Sequence, residues 1–330
     1  MKTSPLSIFA LSLFLCLSLP SPCISTRCNA NDREVLLQIK QSLNNPTHLA
    51  AWKPNTDCCD WNDVMCDTTT NRITTLQFGS ANISGQFPAA VGDLPYLESL
   101  VLENLTSLTG YIPSTLAKLS HLRYFSVTKN SLSGPIPPVL SKLKNLLYIN
   151  LSFNRLSGPI PSSLSQLTKL SQMYLDHNRL TGRIPDSFGT FTVPDLDLSH
   201  NLLSGPLPKS MGKMNYTTLD FSHNMLEGDV SVLFGKNKTV QEVFLSNNKL
   251  SFDISKVEFP ANVTSLDLSH NRITGTLPAS LASLQYLFQL NVSYNGLCGQ
   301  IPTGGRLQRF QSSAYLPNRC LCGAPLPACK

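Results

Sequence analysis

LRYFSVTKNSLSGPIP at residues 122–137 returns as LLYINLSFNRLSGPIP at 146–161, LSQMYLDHNRLTGRIP at 170–185, VPDLDLSHNLLSGPLP at 193–208 and VTSLDLSHNRITGTLP at 263–278. The copies align on Asn130, Asn154, Asn178, Asn201, Asn224, Asn248, Asn271 and Asn295, spaced 24, 24, 23, 23, 24, 23 and 24 residues apart. Two degenerate copies precede them, around Ala81 and Leu105, making ten units over residues 71–302. In "LDLSHN" the alternating leucines predict a short strand with one apolar face and one outward face. The asparagine can hydrogen-bond backbone groups at the turn that follows. The glycine supplies conformational freedom, and the proline ends regular hydrogen bonding. One unit cannot bury its own leucines, whereas ten stacked units share a continuous core. A chain of 330 residues would ordinarily suggest about two domains; the repetition predicts one elongated domain instead.

The period and the pattern LxxLxLxxNxLxGxIP identify leucine-rich repeats. The expected class is α/β: a right-handed solenoid of ten repeats, with a concave parallel β-sheet and a cap at each end. Residues 71–302 are read as the repeats, 26–70 as the N-terminal cap and 303–330 as the C-terminal cap. In the first cap, "NDREVLLQIKQSL" places Val35, Leu36, Ile39 and Leu43 at helical spacing, and Asn31 with Glu34 resembles a capping box. Trp52 and Trp61 flank a cysteine pair and read as packing residues.

Residues 1–25 read as a secretory signal: Lys2, a short apolar run from Ile8 to Leu19, and small residues before a cleavage point after Ser25. No internal apolar run is long enough to suggest a membrane span. Without the signal, eight cysteines remain, in two groups: Cys28, Cys58, Cys59 and Cys66, then Cys298, Cys320, Cys322 and Cys329. Each group allows three pairings. Cys58 and Cys59 are adjacent, which disfavours a bond between them. The pairing favoured here is Cys28–Cys58, Cys59–Cys66, Cys298–Cys320 and Cys322–Cys329. Export and even counts favour disulfides over zinc, so no metal or cofactor is expected. The net charge of +6, without a long basic tract, argues against nucleic acid as a partner.

Outward strand positions form columns along the concave sheet. The central column is expected to run Gln77, Val101, Ser126, Asn150, Tyr174, Asp197, Asp220, Phe244, Asp267 and Asn291. The column before the anchors runs Ser80, Asn104, Lys129, Phe153, His177, His200, His223, Asn247, His270 and Tyr294. Asp176, Asp195, Asp197 and Asp220 form a local acidic patch, with Tyr148, Phe153, Tyr174 and Phe244 on or beside it. Aromatics mixed with charge suit a protein contact. Asp–Ser–His recurs three times, but a catalytic triad is needed once, and no enzyme motif appears, so catalysis is not expected. Protonation of His177, His200 and His223 near pH 6 is expected to recharge this face. Arg155, Arg179, Lys249 and Arg272 form a broken basic column on a lateral face, a candidate site for acidic polysaccharide. Seven N-glycosylation sequons start at Asn82, Asn104, Asn150, Asn215, Asn237, Asn262 and Asn291.

The chain resembles plant polygalacturonase-inhibiting proteins over essentially all of its mature length. The resemblance is carried by "RCNANDREVLLQIKQSLNNPTHLAAW", the "TDCCDW" cap, the repeats of plant type, "MLEGDVSVLFG", "IPTGGRLQRF" and "CLCGAPLPAC". It implies a secreted cell-wall protein with the disulfides named above, which binds fungal endopolygalacturonases through its concave sheet and limits pectin cleavage in defence. It also implies association with pectin (homogalacturonan) through basic residues. Carried over to this chain, the enzyme contacts would be Ser152, Phe153, Tyr174, Asp176, His177, Asp197, Asp220, Gln241 and Phe244. Asn150 departs from an aspartate seen in the family. A plant antifreeze protein is similar to the same family and shares "IPTGG", "LQRF" and "CLCGAPLP". Ice binding is therefore an alternative, as is a developmental or receptor-associated role without inhibition.

Overall fold

A computed structural model describes residues 27–105 and 107–330; the signal read over residues 1–25 lies outside them. Eleven strands form the main sheet: β1 (Val64–Cys66), β2 (Ile73–Gly79), β3 (Ser99–Glu103), β4 (Tyr124–Thr128), β5 (Tyr148–Asn150), β6 (Gln172–Tyr174), β7 (Asp195–Asp197), β8 (Thr218–Asp220), β9 (Glu242–Phe244), β10 (Ser265–Asp267) and β11 (Gln289–Asn291). Each pairs with the next in order. β1 runs antiparallel to β2, and every later pair is parallel. A leucine-rich-repeat solenoid, capped at both ends, is the result.

The strands repeat because each unit leaves and re-enters the sheet by the same route. The middle residue of each strand from β5 to β11, such as Met173, Leu196 or Leu219, is buried. The chain then turns through the anchor asparagine into a second, shorter ladder on the lateral face, with strands such as Arg155–Pro159, Arg179–Gly182 and Leu202–Pro206. The repeat glycine ends that segment at positive φ, 79° at both Gly158 and Gly205, where a Cβ would be strained. The proline of "IP" then caps a 3-10 turn on the outer side, as Pro161 does for Ser162–Gln166.

The anchor asparagines tie each repeat to the one before. The Asn201 Nδ2 donates to the carbonyls of Leu175 (3.0 Å), Ser199 (3.0 Å) and Leu198 (3.2 Å). Its Oδ1 accepts from the Leu180 N–H at 2.9 Å. Asn154, Asn178, Asn224, Asn248, Asn271 and Asn295 make the same set. Asn318 continues the series inside the C-terminal cap, donating to Val292 and Tyr315 carbonyls and accepting from Leu297 N–H. Its spacing of 23 from Asn295 was the signal in the sequence.

At the N-terminal end, helix α1 (Ala30–Ser42) buries Leu36 and Ile39, with Leu43 following it into the core. Its cap differs from the expected capping box. Asn29, not Asn31, caps the helix, its Oδ1 accepting from the N–H groups of Asn31 and Asp32. Asp32 instead clamps the helix to the solenoid, through a two-pronged pair with Arg72 at 2.8 and 2.9 Å and a bond from Ile73 N–H. Trp52 and Trp61 stack at 5.2 Å, and Trp52 also meets Phe78 of β2, so both indoles are packing residues. Disulfides join Cys28 to Cys58, Cys59 to Cys66, Cys298 to Cys320 and Cys322 to Cys329.

Asn201→Ala strands a buried N–H and several carbonyls at once. We expect it to lower stability to urea by about 2–4 kcal/mol, measured by circular dichroism. A loss under about 0.5 kcal/mol, the size of an ordinary surface substitution, would remove the asparagines as inter-repeat ties.

Candidate functional site

The parallel register aligns like positions of successive repeats. Asn150 pairs with Tyr174, Tyr174 with Asp197, Asp197 with Asp220, Asp220 with Phe244, and Phe244 with Asp267. The central column is therefore continuous across the face. Its polar members also shape the backbone: the Oδ1 atoms of Asn150, Asp197, Asp220, Asp267 and Asn291 each accept the N–H two residues on, from Ser152, Ser199, Ser222, Ser269 and Ser293. These are Asx turns that close each strand.

Next to them the chain enters the left-handed region. Ser80, Asn104, Lys129, Phe153, His177, His200, His223, Asn247, His270 and Tyr294 all have φ between 47° and 56°. Backbone bonds to the next repeat hold them there, as His200 N–H to the Ser222 carbonyl at 3.0 Å. None of the ten is β-branched, which is the constraint such a φ imposes. The conformation brings the rings into a stack along the strand-exit edge. Phe153–His177, His177–His200 and His200–His223 each lie 4.0 Å apart between ring centres. His270 and Tyr294 form a second stack at 4.0 Å, and Asn247 reaches His223 between the two.

A second aromatic strip crosses the sheet. Tyr124 lies 6.5 Å from Tyr148, which lies 5.8 Å from Tyr174. Tyr124 is exposed and was not among the residues singled out from the sequence. A depression of roughly 490 Å³ opens beside this strip, lined among others by Lys129, Tyr148, Asn150, Phe153, Tyr174 and Asp176. Asp195 accepts from Gln172, which also reaches the Tyr174 hydroxyl.

Several expected contact residues fall together here. Phe153, His177, Tyr174, Asp197, Asp220 and Phe244 share the face. Gln241 is exposed at its strand-entry edge, just before β9. Two differ from expectation. Ser152 and Asp176 are nearly covered, at 4% and 7% exposure. The Ser152 hydroxyl donates to Asp176, whose other oxygen meets His177 Nδ1 at 2.9 Å. They brace Phe153 and His177 from below and form the floor of the depression. Arg155, Arg179, Lys249 and Arg272 are exposed on the lateral face, but Leu202 and Met225, also exposed, interrupt the row.

The serines of the repeated Asp–Ser–His bond the acid, not the imidazole: Ser222 to Asp220 at 2.6 Å and Ser269 to Asp267 at 2.7 Å. With Ser199, Ser222 and Ser269 buried as well, the geometry is that of a turn and not of an activated nucleophile. Electrostatics on the face also depart from expectation. Burial, and then the flanking charges of His223 and His177, hold His200 below the ordinary imidazole range. Burial and then Asp220 push Asp197 up to about 7. Burial likewise raises Asp220. A carboxyl, Asp197, therefore contributes to the pH response of this face near neutrality.

Between about pH 4 and pH 7 the native chain keeps a proton on Asp197 that the unfolded chain has lost, so stability falls as pH rises through that window. Asn occupies the same column at 150 and 291 with the same turn bond. Asp197→Asn should therefore raise stability at pH 7.5 by roughly 1–2 kcal/mol and leave it unchanged near pH 4. Thermal melts at both pH values check this, and equal shifts at the two would contradict the assignment.

Matches to known families follow the same architecture. A leucine-rich-repeat N-terminal domain matches residues 29–67, and leucine-rich repeats match 136–180, 121–143, 195–214 and 262–284. Polygalacturonase inhibitor 1 of Arabidopsis thaliana is 54% identical, over 100% of this chain and 99% of its own length. The polygalacturonase inhibitor of Vitis vinifera is also 54% identical, over 100% of both chains. Among solved structures, a plant ice-binding protein superposes with a TM-score of 0.89 at 48% identity, covering 92% of this chain and 99% of its own. With identity above half maintained from end to end, the chain belongs to the polygalacturonase-inhibitor family of leucine-rich-repeat proteins.

Proposed function

We propose that this protein is a secreted, non-catalytic inhibitor of fungal endopolygalacturonases that acts in the plant cell wall in defence. The observation that carries the reading is the full-length identity to relatives named polygalacturonase inhibitors. The concave face supports it physically. Phe153, Tyr174 and Phe244 offer apolar anchors, and Asp197 and Asp220 lie between the last two in adjacent strands. Aromatic anchors bordered by polar groups are how protein interfaces concentrate binding energy. A concave sheet can cover the rim of an enzyme's substrate cleft without entering it, slowing access of a long polymer. In the mildly acidic wall Asp197 carries its proton, so it meets the partner as a neutral hydroxyl donor. The exposed Arg155, Arg179, Lys249 and Arg272 would hold the protein on pectin by charge, at a site separate from the enzyme contact.

The test is reducing-end release from polygalacturonic acid at about pH 5, near the lower side of histidine titration, by a panel of fungal endopolygalacturonases. Dose-dependent inhibition of at least one enzyme is expected. Tyr174→Ala and Phe244→Ala should each weaken inhibition by about 10- to 100-fold, whereas Leu202→Ala on the lateral face should not. The same scaffold serves an ice-binding relative, so thermal hysteresis is measured in parallel. Hysteresis without inhibition would overturn the proposal.

A further inference from the structure

Three sequons stand in a row that no structural role requires. Asn215, Asn237 and Asn262 each lie between an outer 3-10 turn and the strand that follows it, before β8, β9 and β10 respectively. Those strands are hydrogen-bonded neighbours. The three asparagines therefore mark successive steps along one edge of the concave sheet, the edge where strands enter, at about 5 Å per strand. All three are exposed. The threonines of the last two sequons have structural work: Thr239 donates to the Tyr216 carbonyl and Thr264 to the Gln241 carbonyl. Among the described residues the three asparagine side chains have no such partner.

The two sequons inside the sheet are different. The Asn150 Nδ2 donates to the Tyr148 hydroxyl at 2.9 Å and its Oδ1 closes the Asx turn. Asn291 closes the same turn, accepting from Ser293 N–H and Oγ. Asp197, Asp220 and Asp267 stand at equivalent positions with the same bond, so the turn by itself accounts for an asparagine there. Asn82 and Asn104 are exposed in the first two repeats, Asn104 within the left-handed column at the opposite, strand-exit edge.

We propose that Asn215, Asn237 and Asn262 carry N-linked glycans that fence the strand-entry edge of repeats seven to nine, while Asn150 and Asn291 stay bare. A protein partner would then reach the concave face over the strand-exit edge, across the Phe153–His223 ring stack. Oligosaccharyl transfer forms a bond from the asparagine Nδ2 to the anomeric carbon of a lipid-diphosphate-linked oligosaccharide. It breaks that carbon's bond to the diphosphate, releases the lipid diphosphate and removes one amide proton. The fence also covers Gln241, whose backbone pairs with Thr217 on one side and Thr264 on the other, each two residues from a fence asparagine. Of the contacts implied by family resemblance, Gln241 is thus the one the glycans screen. This inference rests on the export reading and, for the direction of approach, on the proposed inhibition.

Occupancy is read by peptide mass mapping of the full chain secreted from plant cells, after amidase release of glycans in oxygen-18 water. Label at Asn215, Asn237 and Asn262 and none at Asn150 or Asn291 is expected; a bare entry edge, or a glycan at Asn150 or Asn291, overturns the proposal. Approach is read by affinity for an inhibited endopolygalacturonase. Asn215→Gln, Asn237→Gln and Asn262→Gln together should change affinity by less than about twofold. His177→Asn with Arg179→Thr completes a sequon in the ring stack, at a backbone conformation Asn104 already adopts. That pair should weaken binding more than about tenfold beyond either single substitution. No loss from the added glycan, or a tenfold loss from removing the fence, would overturn the direction of approach. If no endopolygalacturonase binds at all, the proposed function fails, and the occupancy map alone decides whether the fence exists.

Discussion

One buried or half-buried amide per repeat from the third onward, bonded to two repeats at once, is the interaction on which this protein depends. An anchor such as Asn201 closes its own strand end, at Leu198 and Ser199, and reaches the previous repeat at Leu175 and Leu180. No shorter side chain could span those groups, and an aspartate would lack the donors. The leucines provide the free energy of stacking, and a shift of one residue would turn them outward. The asparagines fix the same register a second time, because that shift would also leave buried carbonyls and amides without partners. The repeats from the third onward, held in this way, behave as one body whose faces are set by repetition.

The concave face is what that repetition leaves free. Each residue next to an anchor is forced to positive φ, which excludes β-branched side chains but accepts His, Asn, Lys or an aromatic. Stacked at the repeat distance, three imidazoles and a phenyl ring become an ordered edge. One position inward, the Asx turns demand Asp or Asn at intervals, and burial there, then the Asp220 charge in the adjacent strand, raises the cost of ionising Asp197. The acidic, aromatic character of the surface thus follows partly from turn chemistry. The proposed inhibition leaves specificity to the few positions that neither turn nor core dictates, among them Tyr124, Tyr174 and Phe244.

Periodicity made the solenoid, its parallel sheet and the alignment of the central column legible in the sequence, because strand alternation and a 23- or 24-residue period leave little freedom. What escaped was anything decided by neighbours in space. Ser152 and Asp176 belong to the column of Ser199, Ser222 and Ser269, which is buried from the third repeat onward where the strand turns, and there they bond each other beneath the ring stack. His200 is held below an isolated histidine because it is partly buried and then because histidines flank it on both sides. The helix starts two residues earlier than the sequence suggested, capped by Asn29, and Asp32 in its first turn is engaged with Arg72 forty residues away. Asn318 was readable by spacing but sits in "YLPN", with Ser313 and Tyr315 where the repeat pattern has leucines.

The claim at the centre of this account is that a partner enzyme sits on the concave face, against the aromatic and acidic columns. The most direct measurement is a structure of the complex with an endopolygalacturonase the protein inhibits. The account predicts an interface centred on Tyr174, Asp197, Asp220 and Phe244, bordered by the Phe153–His223 stack, with the lateral basic row outside it. An enzyme seated instead on the lateral row of Arg155, Arg179, Lys249 and Arg272, or on the outer 3-10 turns, would contradict it.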